Sequence, residues 1–129
     1  SMLCLYAGTG SDKQKNNTIK HCERILDNCV YGMPSVDPKH KKFESERYWR
    51  GPVWSIMNYM ISHGLEHEGE YSLAKRIKDD TIKLIEVGGM YEYFNPHTGK
   101  GLGGRDFSWT AAILLVLCRD SSNLRHIDN

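Results

Sequence analysis

Glu92 stands between two tyrosines in Tyr91-Glu92-Tyr93-Phe94, and a glycine-rich run follows at Gly99-Lys100-Gly101-Leu102-Gly103-Gly104. A carboxylate among aromatics can be a desolvated acid able to give and take a proton, or a surface residue on an edge, and periodicity does not decide between them. The glycines satisfy G-x-G-x-x-G, and Asp120 falls near the acidic spacing of a dinucleotide fold. A Rossmann unit, however, needs a buried strand directly before the first glycine. Asn95-Pro96-His97-Thr98 is turn chemistry, and too little chain follows Gly104 for another strand and crossover. The run therefore reads as a tight loop whose glycines let backbone approach something closely.

Two further groupings carry chemical potential. His63-Gly64-Leu65-Glu66-His67 matches the inverted zinc-protease signature H-x-x-E-H, in which histidines four apart share a helix face. Gly64 and the polar Glu66-His67-Glu68-Gly69-Glu70 place it at a fraying helix end, so solvated side chains are expected and no metal site. Glu46-Arg47-Tyr48-Trp49-Arg50-Gly51-Pro52-Val53-Trp54 gathers two tryptophans, a tyrosine and arginines at the mouth of a helix. Aromatic faces cover the apolar side of a sugar ring while Arg, Tyr and Trp donors meet its hydroxyls, so the cluster suits a carbohydrate pocket. Spacing alone does not separate that pocket from a hydrophobic staple with core tryptophans. No serine or cysteine has a context that marks it as a nucleophile.

Four helices must position these residues. Ile19, Cys22, Leu26 and Cys29 recur at helical spacing between about Lys15 and Val30, with Asn16, Asn17 and Thr18 as caps. Gly51-Pro52 opens a second helix, striped by Val53, Ile56, Met57, Met60 and Ile61 and ending near Gly64. A third runs from about Tyr71 to Val87 and stops at Gly88-Gly89. The fourth, about Phe107 to Cys118 with Asp106 or Ser108 as cap, is apolar at nearly every position, which predicts cover over most of its surface. Met90 to Phe94 reads as a short extended piece with no convincing strand partner. The fold class is all-α, in antiparallel hairpins, with an amphipathic outer helix followed by a buried inner one.

The whole chain sets outer bounds. At 129 residues it fits one domain, and its formal net charge of +1, from 17 basic and 16 acidic side chains, gives no electrostatic reason to expect nucleic acid or a membrane surface as partner. The longest apolar run, Ala111 to Cys118, falls well short of the ~20 residues of a membrane span. Met2 to Ala7 is too short and lacks the basic flank of a signal peptide, and Ser1 reads as an expression remnant, so a cytoplasmic location is expected and the Asn16-Asn17-Thr18 acceptor is accidental. Cys4, Cys22, Cys29 and Cys118 form no C-x-x-C pair and are expected as reduced, buried, structural thiols.

Several motifs together resemble glycoside hydrolase family 63. They are Leu5-Tyr6-Ala7-Gly8, Tyr31-Gly32-Met33-Pro34-Ser35-Val36-Asp37-Pro38, Tyr48-Trp49-Arg50-Gly51-Pro52-Val53-Trp54 and Tyr91-Glu92-Tyr93-Phe94-Asn95-Pro96, followed by Gly103-Gly104-Arg105-Asp106-Phe107-Ser108-Trp109-Thr110-Ala111-Ala112. The resemblance covers nearly the whole chain in order, and extends to the related trehalases. It implies an (α/α)6 barrel, two concentric rings of six helices with a sugar pocket at one end of the inner ring. It also implies hydrolysis with inversion, in which an acid and a base stand about 6.5–9.5 Å apart across the sugar.

Carried over by motif, the resemblance makes Glu92 the general base, Tyr48 and Trp49 contacts to sugar or aglycone, Arg50 and Trp54 shapers of the pocket, and Asp106 a group that reaches a hydroxyl. It implies no cofactor and no metal, and an oligosaccharide or small glycoside as substrate. The family's aspartate acid lies upstream of every residue here, and Asp37 in its Ser-Val-Asp-Pro turn does not match it. The chain then corresponds to the C-terminal third of a barrel, inactive alone, with exposed inner helices that favour self-association. A carbohydrate-binding or structural helical module without hydrolysis is the competing class.

Overall fold

The computed structural model describes residues 2–124, with side chains for residues 2–120. Its elements are α1 (Leu3–Tyr6), α2 (Asp12–Leu26), α3 (Ser55–His67), α4 (Tyr71–Gly88), β1 (Tyr91–Phe94), β2 (Gly101–Arg105) and α5 (Ser108–Leu124). All four expected helices are present. A short fifth, α1, and an antiparallel β-hairpin were not legible in the sequence.

Local chemistry moves the start of α2 forward. Ser11 and Gln14 form a capping box, Ser11 N donating to Gln14 Oε1 at 2.8 Å and Gln14 N to Ser11 Oγ at 3.4 Å. Two orphan amide donors are thereby satisfied, so Asn16, Asn17 and Thr18 lie inside the helix instead of capping it. The start of α3 moves the other way. Val53 pairs with Phe94 and with Pro34 in isolated antiparallel bridges, so Gly51-Pro52 cannot form a first helical turn and the helix waits for Ser55.

Gly64 does not end α3. It is buried there because α1 crosses at that point: a Cβ on Gly64 would stand 2.5 Å from Tyr6 N and 2.7 Å from the Leu5 carbonyl carbon. The helix continues to His67, and the link Glu68-Gly69-Glu70 turns the chain into α4. Asn58 Nδ2 donates to Thr81 Oγ1 at 3.0 Å and Lys78 Nζ to Glu66 Oε1 at 2.7 Å, which sets the antiparallel register of that hairpin.

α3 packs against α1, α4 and α5. The main core gathers Leu5 of α1, Ile19, Cys22, Ile25 and Leu26 of α2, Ile61 and Leu65 of α3, and Ala74 and Ile77 of α4. A second cluster, Val53, Leu84, Ile85 and Phe94, sits under the hairpin. Ser55 Oγ and Thr110 Oγ1 lie 3.2 Å apart, so the first turns of α3 and α5 are side by side. Every loop that enters the site is therefore at one end of this helix row.

Two expectations about burial need correction. α5 is covered along one face only: Thr110, Ile113 and Leu117 are buried, whereas Trp109 is 60% and Leu115 74% exposed. Phe107, and neither Asp106 nor Ser108, occupies its N-cap position, its carbonyl accepting from Ala111 N at 3.2 Å. Of the thiols, Cys22 and Cys29 are buried and burial pushes them up to about 12 and about 11, but Cys118 is exposed.

Candidate active site

The extended piece at Met90 to Phe94 does have a partner, and it is the glycine run. β1 pairs with β2 in the register Tyr91↔Arg105, Tyr93↔Leu102 and Phe94↔Gly101, with a bulge that sets both Gly103 and Gly104 opposite Glu92. The strand formed by the glycines is antiparallel to the strand before it. A dinucleotide fold requires the parallel arrangement through a helix, so the geometry removes that reading.

The glycines are there because side chains fill the space above them. A Cβ on Gly101 would lie 2.3 Å from the Tyr91 ring, and one on Gly103 2.6 Å from the Tyr93 ring and 2.7 Å from Glu92 Oε2. Gly103 also has φ 74, a left-handed conformation that costs a side-chain-bearing residue about 1–2 kcal/mol. In the bulge Gly104 N donates to Glu92 Oε2 at 3.1 Å, and the half-buried carboxylate is fixed to the hairpin.

Tyr93, next in the strand, belongs to an aromatic stack. Trp49 and Trp54 lie parallel, 4.1 Å between centroids at 4°, and Trp54 stacks on Tyr93 at 5.0 Å and 26°. The Tyr48 ring meets Trp54 and Tyr93 edge-on at 5.0 and 5.5 Å. Trp54 Nε1 donates to the Tyr48 carbonyl at 3.2 Å, which satisfies the indole of a side chain only 4% exposed. Sequence reasoning singled out Tyr48, Trp49, Trp54 and Glu92, and the fold brings Glu92's strand onto the other three. It missed Tyr93 as a wall of the stack and the Gly104 amide as a donor.

The loop that carries Tyr48 and Trp49 is anchored from the hairpin turn. Asn95 accepts from His97 N at 2.9 Å and Thr98 N at 3.2 Å, while its Nδ2 donates to Glu46 Oε1 at 3.3 Å and Ser45 Oγ at 3.4 Å. Lys100 Nζ pairs with Glu46 at 3.1 Å, and Lys100 first and Asn95 second hold the Glu46 carboxyl below the usual range. His97 meets the Phe43 ring edge-on at 5.8 Å.

Arg50 and Asp106 are not part of the stack. Arg50 Nη1 turns back to Glu44 Oε1 at 3.1 Å, and Asp106 is exposed with no hydrogen bond or ion pair among the described residues. Yet Tyr48 (φ 37) and Asp106 (φ 53) are the non-glycine residues with positive φ among those described. Such backbone costs about 1–3 kcal/mol and clusters at functional sites. Beside Trp54 a cavity of 490 Å3 opens between α1, α2 and α3, with Met57 and Ile61 on one wall and Thr18, His21 and Asp37 on another; Glu92 does not line it.

The H-x-x-E-H residues form the last turn of α3, which ends at His67, so the expected helix-end position holds. His63 Nδ1 faces Glu66 Oε2 at 3.7 Å, and Glu66 is already engaged by Lys78. Among the described residues no three His, Cys, Asp or Glu side chains are placed to hold a metal.

Helices in a row, with a carboxylate and an aromatic wall where the loops enter, form a portion of a helical toroid. The chain belongs to the family described as the mannosylglycerate hydrolase MGH1-like glycoside hydrolase domain, which matches residues 1–110. It is 47% identical over 114 residues to mannosylglycerate hydrolase MGH1 of Selaginella moellendorffii, 88% of this chain and 23% of that protein. It is 43% identical over 117 residues to the mannosylglycerate hydrolase of Thermus thermophilus, 91% of this chain and 28% of that one. The crystal structure of a GH63 mannosylglycerate hydrolase from Thermus thermophilus in complex with Tris superposes with TM-score 0.85 at 43% identity, over 88% of this chain and 28% of that one. The fold is thus part of the family 63 toroid, and the chain spans about a quarter of the length of the curated relatives it matches.

Proposed function

We propose that this chain is the C-terminal part of an inverting glycoside hydrolase acting on α-linked mannosides or glucosides, and that it supplies the general base, Glu92, and part of the sugar pocket. The observation that carries the reading is the seating of Glu92. One carboxylate oxygen accepts the Gly104 amide, and the strand that bears it presses Tyr93 into the Tyr48, Trp49 and Trp54 stack.

Chemically, Oε2 is engaged by backbone and Oε1 is left to take a proton from water. As that proton leaves, the water oxygen forms its bond to the anomeric carbon, and the leaving oxygen departs from the opposite face with a proton from an acid. That acid belongs to the remainder of the enzyme. Tyr48 and Trp49, about half exposed, offer aromatic surface to the sugar or aglycone, and Trp54 backs them in the stack; Arg50 shapes the pocket through the loop it ties to Glu44, and Asp106 reaches a hydroxyl. Mannosylglycerate as substrate is supported by what the relatives at 43–47% identity are named for.

The proposal extends to cell location and assembly. No described helix is long and apolar enough to cross a membrane. Buried Cys22 and Cys29 make no disulfide, which supports a cytoplasmic enzyme. The exposed Trp109 and Leu115 face of α5 supports self-association of the chain when it is alone.

The test is Glu92→Gln in the full-length enzyme, assayed on mannosylglycerate with the anomer of the released sugar followed by NMR. Wild type releases the inverted anomer and the variant loses about 100-fold or more in turnover. An unaltered rate removes Glu92 from the mechanism.

A further inference from the structure

We propose that Gly103 is a positioning residue for Glu92: the absence of a side chain at the bulge is what lets the carboxylate dock on the Gly104 amide. The inference rests on the reading of Glu92 as the base, and concerns what aims it.

Residue 103 is constrained twice. Its φ of 74 belongs to the left-handed region, and a Cβ there would stand 2.7 Å from Glu92 Oε2, 3.0 Å from Glu92 Cβ and 2.6 Å from the Tyr93 ring. The first constraint is one of backbone alone. The second falls on the side chain that would do the chemistry and on the ring beside it, so an L-residue at 103 pushes the carboxylate off the amide that holds it at 3.1 Å.

The strand beneath cannot follow such a push. Thr110 Oγ1 donates to the Tyr91 carbonyl at 2.7 Å on one side of Glu92, and Phe94 exchanges backbone hydrogen bonds with Val53 on the other. The carboxylate therefore moves relative to a fixed hairpin. A base displaced by about 1 Å from its water loses roughly 100-fold in rate without loss of substrate affinity.

Gly99 provides the matched control. It shares φ 74, but a Cβ there would meet only Val87 Cγ1 at 3.1 Å and the Tyr31 ring at 3.3 Å, away from Glu92. Gly99→Ala carries the left-handed strain and some crowding of its own, but none of it falls on Glu92.

The experiment compares Gly103→Ala with Gly99→Ala in the full-length enzyme. Both lower the melting temperature; only Gly103→Ala lowers kcat, by about 10- to 100-fold, with KM within about threefold of wild type. A kcat for Gly103→Ala within about twofold of Gly99→Ala overturns the proposal. If in the same assay Glu92→Gln keeps full activity, the base assignment has failed; if it is inactive while Gly103→Ala is not, positioning alone has failed. A second measurement holds even where Gly103→Ala does not fold. In this chain the Gly104 amide proton resonance of the wild type is expected to lie downfield of its position in Glu92→Ala, as a carboxylate-bound amide does; coincident resonances overturn the contact.

Discussion

Val53 and Phe94, distant in the chain and both fully buried, exchange both of their backbone hydrogen bonds, Val53 N to Phe94 O at 2.8 Å and Phe94 N to Val53 O at 2.9 Å. Trp54 follows one and Tyr93 precedes the other. This single non-local pair therefore closes the aromatic stack and seats the strand of Glu92 against the mouth of α3.

Phe94→Ala is expected to lower stability by about 3–5 kcal/mol, the usual cost of emptying a buried phenylalanine site. Urea denaturation followed by tryptophan fluorescence reads it, and Trp54 reports the site directly. A loss under about 1 kcal/mol would mean that the Phe94 ring does not hold the hairpin on Val53, Leu84 and Ile85.

Thr110→Val keeps the shape and removes the hydroxyl that donates to Tyr91 O at 2.7 Å and meets Ser55 Oγ. Losing a hydrogen bond to a part-buried carbonyl costs about 0.5–1.5 kcal/mol. The midpoint of urea unfolding should fall with an unchanged slope, and in the full-length enzyme kcat should fall with it as the base strand loosens.

The Arg24–Asp37 pair gives a pH dependence with a definite sign. The Arg24 hydrogen bond, then the Lys39 amide, holds the Asp37 carboxyl below its usual range despite partial burial. A depressed folded value means stability that is present above the ordinary aspartate range and is lost as pH falls through the folded value. Arg24 is 42% exposed, so screening keeps the pair at about 1 kcal/mol or less. The stability difference between wild type and Asp37→Asn should shrink as pH drops from about 6 to about 3, across the range where aspartates titrate; a difference that grows on acidification would contradict the pairing.

The chain alone should associate through α5. Light scattering at rising concentration is expected to show dimers or larger species, and Leu115→Glu, at a site 74% exposed, should return the monomer. A monodisperse wild-type monomer at high concentration would sink this expectation.

The four longer helices were legible because apolar periodicity is local: the stripe from Leu73 through Ile77 to Leu84 and Ile85 reads the same in the sequence as in α4, whereas the four residues of α1 are too few to show a period. Helix ends were less so. Ser11-Asp12-Lys13-Gln14 carries a capping box in its own spacing, a local signal that the asparagines after it obscure, whereas the late start of α3 depends on Phe94, which no local pattern around Val53 reveals. The glycine run reads as a loop because glycine gives strands no propensity, and only the rings of Tyr91 and Tyr93 lying over Gly101 and Gly103 make a strand of it.

The sequence by itself determined the helical class, the aromatic and acidic residue types of the candidate site, and, through several motifs in order, the family. Tertiary structure decided which of those residues meet. Residue types and periods are set by neighbours along the chain, but the Gly104 contact to Glu92 needs the β1–β2 bulge, and the stack of Trp54 on Tyr93 needs separate segments held together at 2.8–2.9 Å by Val53 and Phe94. Arg50 and Asp106 show the converse: equally prominent in the sequence, they are turned to Glu44 and to solvent, because nothing in the described fold pairs their side chains with the carboxylate or the stack.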